Sequence, residues 1–194
     1  DPVVDYGVNN ANQCIRDQKF NFTNNSTVGF SGGTLNYTWK YNDTLFSSAS
    51  NASKTFAKIG ITKIKLIAKS SVGCMDSITK NIQVYASPIA DFTIPKPNQC
   101  TNNNKYNFDN KSFINSGNNT YRWSFGDGQG SGLNSPAKVY SKFGNYFVKL
   151  VAISDYGCKD SISKLVRVFS EPKVIFTQSD TAKCLYKNKF TFIC

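Results

Sequence analysis

The chain repeats itself with an offset of 84 residues (157 − 73 = 84). Gly73–Ile78 returns as Gly157–Ile162 with the shared pattern Gly-Cys-x-Asp-Ser-Ile, and Trp39 returns as Trp123 at the same offset. An offset this long corresponds to whole domains in series, because solenoid repeats are only about 20–50 residues long. Each repeat is long enough to bury a small core of its own. We therefore predict two domains and the first strands of an incomplete third unit, at 1–86, 87–170 and 171–194 respectively.

The composition favours strands over helices. Histidine is absent and Glu171 is the only glutamate, whereas Asn, Ser, Thr, aromatic and β-branched residues are abundant. Apolar residues alternate with polar ones after Gly60 and again after Gly144. Short alternating segments separated by polar turns predict an all-β fold, a two-sheet antiparallel sandwich in each unit. The predicted core includes Trp39, Trp123, Leu66 and Leu150, together with Phe22, Phe108, Val84 and Val168.

The net charge of +11 comes mainly from lysine. Such a charge favours contact with anionic surfaces such as polysaccharide, or it keeps solvated strand edges from pairing with other chains. Nucleic acid is not an expected partner, because arginine is scarce and no basic run is present. No apolar run is long enough to span a membrane. The chain also has no histidine, no Gly-x-Ser-x-Gly and no recognisable carboxylate pair, so we do not expect an enzyme.

One hairpin of the second unit carries a family signature. Tyr121–Gly128 reads Tyr-Arg-Trp-Ser-Phe-Gly-Asp-Gly, and it is followed by Pro136, Tyr140 and Gly144–Leu150. This pattern resembles the signature of PKD (polycystic kidney disease-like) domains. The first unit has Tyr41–Thr44 in place of Phe-Gly-Asp-Gly and lacks both glycines, so its hairpin is expected to differ.

The resemblance implies tandem immunoglobulin-like sandwiches of about seven strands each. PKD domains usually serve as spacers, adhesion modules or accessory domains of secreted enzymes. The added Gln-Cys and Gly-Cys-x-Asp-Ser elements resemble the cysteine-containing PKD arrays in large surface adhesins of gliding bacteria, which are often exported by type IX secretion. We therefore expect an extracellular structural or adhesive array, whose partners are neighbouring repeats of the same chain and surface polysaccharide or other surface proteins. The alternatives are an accessory region of a secreted hydrolase and a subunit of a surface filament.

The cysteines are expected to form disulfides in an oxidising, extracytoplasmic setting. No Cys-x-x-Cys pair and no histidine is present, which argues against a zinc site. Each unit places one cysteine before its second strand and one in the turn before its last strand: Cys14 and Cys74 in the first unit, Cys100 and Cys158 in the second.

The geometry of a sandwich favours a bond between the units. The loop before the second strand and the turn before the last strand lie at opposite ends, about 20 Å apart for strands of about six residues. Bonded cysteines need Cα atoms within about 7 Å. Units stacked head to tail would bring Cys14 to Cys158, which is the pairing that we favour. The alternative is pairing inside each unit, Cys14 with Cys74 and Cys100 with Cys158. Cys184 is the corresponding cysteine before the second strand of the incomplete third unit, and the role of Cys194 stays open.

The aspartates of the two tryptophan hairpins are interpreted as turn residues. Asp127 lies between Gly126 and Gly128, and Asp43 is its counterpart in the first unit. A turn carboxylate ordinarily accepts backbone N–H bonds. The alternative is that these aspartates are calcium ligands, since Asp- and Asn-rich loops supply oxygen donors, but no EF-hand spacing is present, so we expect no cofactor and no metal site.

Modification and sugar stacking are two further hypotheses. Asp-Ser/Thr-apolar triplets resemble an O-glycosylation acceptor known in the bacterial group named above, and they occur at Ser77, Ser161, Thr44 and Thr181. Four tyrosines could stack on sugar rings: Tyr37, Tyr41, Tyr121 and Tyr156. For Tyr37 and Tyr121 the simpler role is packing in a sheet near Trp39 and Trp123.

Overall fold

The computed structural model describes residues 1–29, 33–178 and 192–193. These residues form strands, turns and loops arranged as two β-sandwiches in series, which confirms the all-β immunoglobulin-like fold class. In this part of the chain no helix is long and apolar enough to cross a membrane.

The described residues of the first unit form ten strands, several of them very short. They are β1 (Pro2–Val3), β2 (Tyr6–Val8), β3 (Asn12–Cys14), β4 (Phe20–Asn24), β5 (Thr27–Val28), β6 (Leu35–Tyr41), β7 (Thr44–Ser47), β8 (Ala52–Lys54), β9 (Gly60–Ser70) and β10 (Met75–Tyr85). One layer is a five-stranded sheet in the order β3-β10-β9-β6-β7, and the other contains β2-β4-β8 with the β1–β5 pair.

The long hairpin β9–β10 forms the centre of the five-stranded sheet. Its alternation places Ile64, Leu66 and Ala68 in the interior, fully buried, while the intervening residues face outward. This period-two burial is what the apolar alternation after Gly60 predicts.

The chain crosses from one sheet to the other between β2 and β3. β2 pairs antiparallel with β4, and after a bend β3 pairs parallel with the end of β10. The sandwich is antiparallel as expected from the sequence, except at this parallel edge pair. The parallel pair places Cys14 opposite Tyr85, at the end of the unit that faces the second unit.

The second unit repeats this plan. Its strands are β11 (Phe92–Thr93), β12 (Asn98–Cys100), β13 (Tyr106–Asn107), β14 (Asp109–Asn110), β15 (Asn119–Ser124), β16 (Gly130–Ser131), β17 (Ala137–Lys138), β18 (Gly144–Ser154) and β19 (Lys159–Phe169). The five-stranded sheet runs β12-β19-β18-β15-β16, again with a parallel edge pair, β12–β19. The opposite layer consists of the pairs β11–β14 and β13–β17.

A tryptophan occupies the centre of each core. Trp39 is fully buried and Trp123 nearly so. Each indole N–H donates to a backbone carbonyl ten residues later, Trp39 to Ala49 at 3.0 Å and Trp123 to Leu133 at 2.9 Å. The indole can be buried because its one polar group keeps a partner. The remaining predicted core residues are also buried: Phe22, Leu66, Val84, Phe108, Leu150 and Val168.

After Phe169 the described backbone is irregular except for the short pair β20 (Thr177–Gln178) and β21 (Phe192–Ile193). Three residues singled out from the sequence lie outside the described residues: Cys184, Cys194 and Thr181.

Candidate functional site at the junction of the two units

A disulfide links the two units. Cys14 and Cys158 are bonded, with Cα atoms 5.7 Å apart and a sequence separation of 144. The structure thus has the pairing across the junction, and the alternative pairing inside each unit is wrong. Cys74 and Cys100 are free thiols, the first partly buried and the second exposed.

Regular backbone positions both bonded cysteines. Ile15 N–H donates to Tyr85 O at 2.8 Å, which continues the parallel pairing past Cys14. Cys158 is buried in the turn before β19, where its N–H donates to the Ser154 hydroxyl at 3.1 Å and its carbonyl accepts from Ser154 N–H at 2.9 Å. The bond therefore joins two ordered elements rather than two loose loops.

An ion pair next to the disulfide also crosses the junction. The Arg16 guanidinium contacts the Asp160 carboxylate and donates to the Pro88 carbonyl at 3.2 Å. Asp160 also accepts the Ala90 N–H at 2.8 Å. Partial burial disfavours the charge of Asp160, but the hydrogen bonds from Ala90 and Arg16 outweigh burial, and the pKa of this carboxyl is lowered. Arg16 N–H also donates to the Ser87 hydroxyl at 3.2 Å. The short linker is therefore hydrogen-bonded to Arg16 of the first unit at Ser87 and to Asp160 of the second unit at Ala90.

Two tyrosine rings stack across the same junction. Tyr85 ends β10, and Tyr156 lies in the turn that leads to Cys158; their ring centroids are 4.0 Å apart with planes inclined by 12°. Tyr156 was a candidate for sugar stacking, but one face of its ring is occupied by Tyr85. Stacked rings resist bending, because any change of angle between the units separates them.

The sequence analysis missed Arg16 and Tyr85. A signal for Tyr85 was present, since Phe169 ends the last strand of the second unit at the equivalent position, and paired aromatic residues at domain ends suggest contact. Arg16 gave a weaker signal, as an arginine two residues after Cys14 in a chain where lysine dominates.

At the start of the first unit, half of this junction is repeated. Cys74 occupies the place that Cys158 has in the second unit, and Asp76 that of Asp160. Asp76 accepts the Val4 N–H at 3.4 Å, as its counterpart accepts from Ala90. Tyr156 is replaced here by Val72, which is exposed.

The other half of the junction is repeated at the end of the second unit. Cys100 occupies the place of Cys14, and Thr101 N–H donates to Phe169 O at 2.8 Å. Asn102 takes the place of Arg16, and its N–H donates to the Glu171 carboxylate at 2.9 Å. Each unit thus presents a cysteine at both docking ends, whereas the aromatic stack and the arginine ion pair of the junction are not repeated at the open ends.

Comparison with known proteins identifies the family. The model of the PKD domain matches twice in tandem, at residues 1–86 and 85–169. The chain belongs to the PKD-domain family. The match covers both units, including the first, whose hairpin signature is incomplete.

Solved structures similar to the chain include single PKD domains. The PKD1 domain of Vibrio anguillarum Epp is 26% identical and covers 44% of this chain and 96% of its own, with a TM-score of 0.39. The PKD1 domain of the Vibrio cholerae metalloprotease PrtV is 30% identical, covering 43% and 98%, with a TM-score of 0.39. Immunoglobulin domains 1–4 of Sidekick-1 are 12% identical and cover 88% and 49%, with a TM-score of 0.49. PKD repeats are typical of extracellular bacterial proteins, both adhesins and protease accessory domains, and together with the disulfide they point to an extracellular protein.

In the second unit, a lysine pairs with the aspartate of the Phe-Gly-Asp-Gly turn, which is called the PKD turn below. Asp127 accepts the Gln129 N–H at 3.0 Å and pairs with the Lys138 ammonium at 2.7 Å. Partial burial opposes its ionisation, but these two contacts prevail and lower the pKa of Asp127. The carboxylate therefore already has a cation, and no metal-binding cluster of acidic, cysteine or histidine residues occurs among the described residues.

The corresponding hairpin of the first unit has a different geometry. Asn42 and Asp43 both have positive φ, 42° and 66°, and they form a two-residue turn between Tyr41 and Thr44. Two successive positive φ angles define a type I′ hairpin, in which asparagine and aspartate are well tolerated. Asp43 is thus the sequence counterpart of Asp127 but not its structural equivalent, because it lies in a tighter turn and forms no ion pair within the described residues.

The candidate glycosylation residues within the described part of the chain are all exposed. Ser77 and Ser161 lie on the long last strands β10 and β19, and Thr44 lies in the tight hairpin. Ser77 N–H donates to the Asp76 carboxylate at 2.7 Å, a local contact that needs no modification. These residues are accessible enough to be modified, but their exposure alone does not single them out as modification sites.

Proposed function

We propose that this chain is a section of an extracellular array of PKD units whose function is mechanical, without catalysis. The observation that supports this proposal is the junction, where a disulfide, an ion pair and a ring stack all join one unit to the next. A flexible connection between independent domains would need none of these contacts. Restricted bending is useful to a protein that spaces or displays surface contacts.

The docking ends left open suggest how the array continues. Cys74 would bond to the first cysteine of a preceding unit, and Cys100 to the turn cysteine of a following one. The partners are then neighbouring repeats with the same architecture. Adhesion to polysaccharide or to other surface proteins would use the outer faces of the units, which carry most of the lysines.

The finer assignment is a gliding-motility adhesin exported by type IX secretion. It rests on the resemblance of the Gln-Cys and Gly-Cys-x-Asp-Ser elements to such arrays, and on no contact in the structure. The sequence of the surrounding gene tests it. Many further copies with both cysteines would support an adhesin or a filament, whereas an adjoining catalytic domain would support the accessory role in a secreted hydrolase.

Small-angle scattering tests the mechanical role directly. The oxidised chain is expected to scatter as one conformation, whereas the Cys14→Ser/Cys158→Ser variant should show a broader distribution of distances between units. The matched control is Cys74→Ser/Cys100→Ser, which removes two cysteines but leaves the junction bonded. If the two double variants scatter alike, the disulfide does not set the angle between the units and the proposal is wrong.

A further inference from the structure

The two units place a lysine at the same position of the sandwich but partner it differently. Lys138, at the end of β17, lies 5.7 Å from the ring centroid of Phe125 and 5.4 Å from that of Tyr140. Its ammonium group also pairs with Asp127 at 2.7 Å and donates to the Gln129 side chain at 2.5 Å. In the second unit the charge of Lys138 is therefore neutralised by Asp127 of the same unit.

In the first unit the equivalent lysine has aromatic neighbours but no carboxylate. The Lys54 ammonium lies 4.5, 5.4 and 5.8 Å from the ring centroids of Tyr41, Phe46 and Phe56. Within the described residues it forms no ion pair. The aromatic rings supply a cation–π contact, which compensates for only part of the charge.

The tight hairpin explains the difference. The turn at Asn42 and Asp43 shifts the register after Trp39, so the carboxylate stays at the tip instead of reaching the lysine. Phe46 is the sequence counterpart of Gly130, but it lies at the register shift, because Lys40 pairs with Leu45 where Ser124 pairs with Gly130. At Gly130 itself a Cβ would lie 2.5 Å from the Trp123 carbonyl oxygen. The first unit has therefore exchanged an internal carboxylate for a third aromatic ring.

This exchange leaves an open cationic cleft of about 410 Å³ beside the hairpin. Its lining includes Tyr41, Asn42, Lys54, Thr55 and Lys58. A second cleft shares Lys54 and Thr55 with the first and is also lined by Lys19. None of the residues lining either cleft is acidic.

We propose that this cleft binds the carboxylate of an acidic sugar within a polysaccharide. The sugar carboxylate takes the place opposite Lys54 that Asp127 takes opposite Lys138, with Lys58 as a second cation. The amide of Asn42 and the hydroxyl of Thr55 suit sugar hydroxyls, and Tyr41 provides an aromatic wall. Mixed amide, hydroxyl and aromatic groups favour a sugar, and an acidic peptide is the competitor that the test must exclude, because β8 is an edge strand. The inference goes beyond the mechanical role and does not depend on the junction.

Titration calorimetry with a galacturonate tetramer at low salt tests the site. The wild-type chain should bind the tetramer, and Lys54→Gln should weaken binding about tenfold or more, because a charge-assisted contact to the carboxylate is lost. Lys138→Gln is the matched control, since it removes the equivalent lysine of the second unit, and it should leave the affinity unchanged. The fully methyl-esterified tetramer keeps the sugar rings but lacks the charge, so it should not compete.

Lys58→Gln keeps the test valid if loss of the Lys54 cation–π contact disturbs folding. Lys58 is exposed and belongs to no core contact, so its loss should weaken binding while the tryptophan emission stays as in the wild type. Absence of binding at millimolar tetramer, equal effects of Lys54→Gln and Lys138→Gln, or equal binding of the methyl ester would each overturn the proposal. Equal competition by a tetraglutamate peptide would assign the cleft to acidic peptides and overturn the sugar assignment.

Discussion

Removal of the Cys14–Cys158 bond should destabilise both units, although each has its own core. When the second unit unfolds on a folded first unit, the bond ties Cys158 to Cys14, which lies beside Tyr85 at the end of β10. The unfolded segment is then a closed loop of about 70 residues, and chain entropy assigns such a closure about 4 kcal/mol. The same argument holds for the first unit, because the loop from Cys14 to the linker has a similar length.

Urea unfolding followed by tryptophan emission measures this effect. With a slope of about 1–2 kcal/mol per M, Cys14→Ser/Cys158→Ser should lower the midpoint by about 2–4 M relative to Cys74→Ser/Cys100→Ser. In a Trp123→Phe background the remaining Trp39 reports unfolding of the first unit, and in a Trp39→Phe background Trp123 reports unfolding of the second. A bond inside the first unit would stabilise that unit alone. A midpoint that stays unchanged in either unit would therefore refute the reasoning.

Three further perturbations address the core, the PKD turn and the junction. Trp123→Ala should lower the free energy of unfolding by about 3–5 kcal/mol through the cavity it leaves, and an unchanged melting midpoint would contradict its central place. Gly126→Ala should cost about 1–3 kcal/mol more than Gly128→Ala, because both have positive φ but only the first would place a Cβ 3.0 Å from neighbouring backbone atoms; equal costs in chemical denaturation would argue against that close approach. The folded pKa of Asp160 lies below its unfolded value, so its contacts with Ala90 and Arg16 stabilise the folded chain above about pH 4, and this contribution is lost as pH falls through the folded pKa. Acid titration of the scattering profile should show this loss in the wild type and not in Asp160→Asn.

The sequence was sufficient for the fold because its signals were redundant. The 84-residue offset divides the chain, and the alternation after Gly60 and Gly144 fixes which residues of the long hairpins face inward. The parallel edge pair could not be anticipated, since β3 is only three residues long and its pattern does not show which sheet it joins. Short edge strands are assigned by the backbone partners available to them, which are known only in three dimensions.

The candidate sites were less predictable. The bond between Cys14 and Cys158 followed from which end of a sandwich each loop occupies, so a topological argument was enough. The cleft at Lys54 was not anticipated, because it depends on how a hairpin closes. A signal was available in hindsight: Lys54 and Lys138 are 84 residues apart, yet only the second unit retains the Gly-Asp-Gly turn that neutralises its lysine.

The disulfide also decides how the chain would carry tension. A pull on Asp1 and Phe169 is transmitted from Cys14 directly to Cys158, so the covalent load path omits everything between them. That bypassed segment is 144 residues in sequence separation and contains the strands of both cores from β4 to β18. Extended fully, it would add about 480 Å of length at about 3.3 Å per residue, none of which can be released until the bond breaks. Under oxidising conditions the two domains would therefore extend very little under tension. After reduction of the disulfide, the same segment could unfold and lengthen under load.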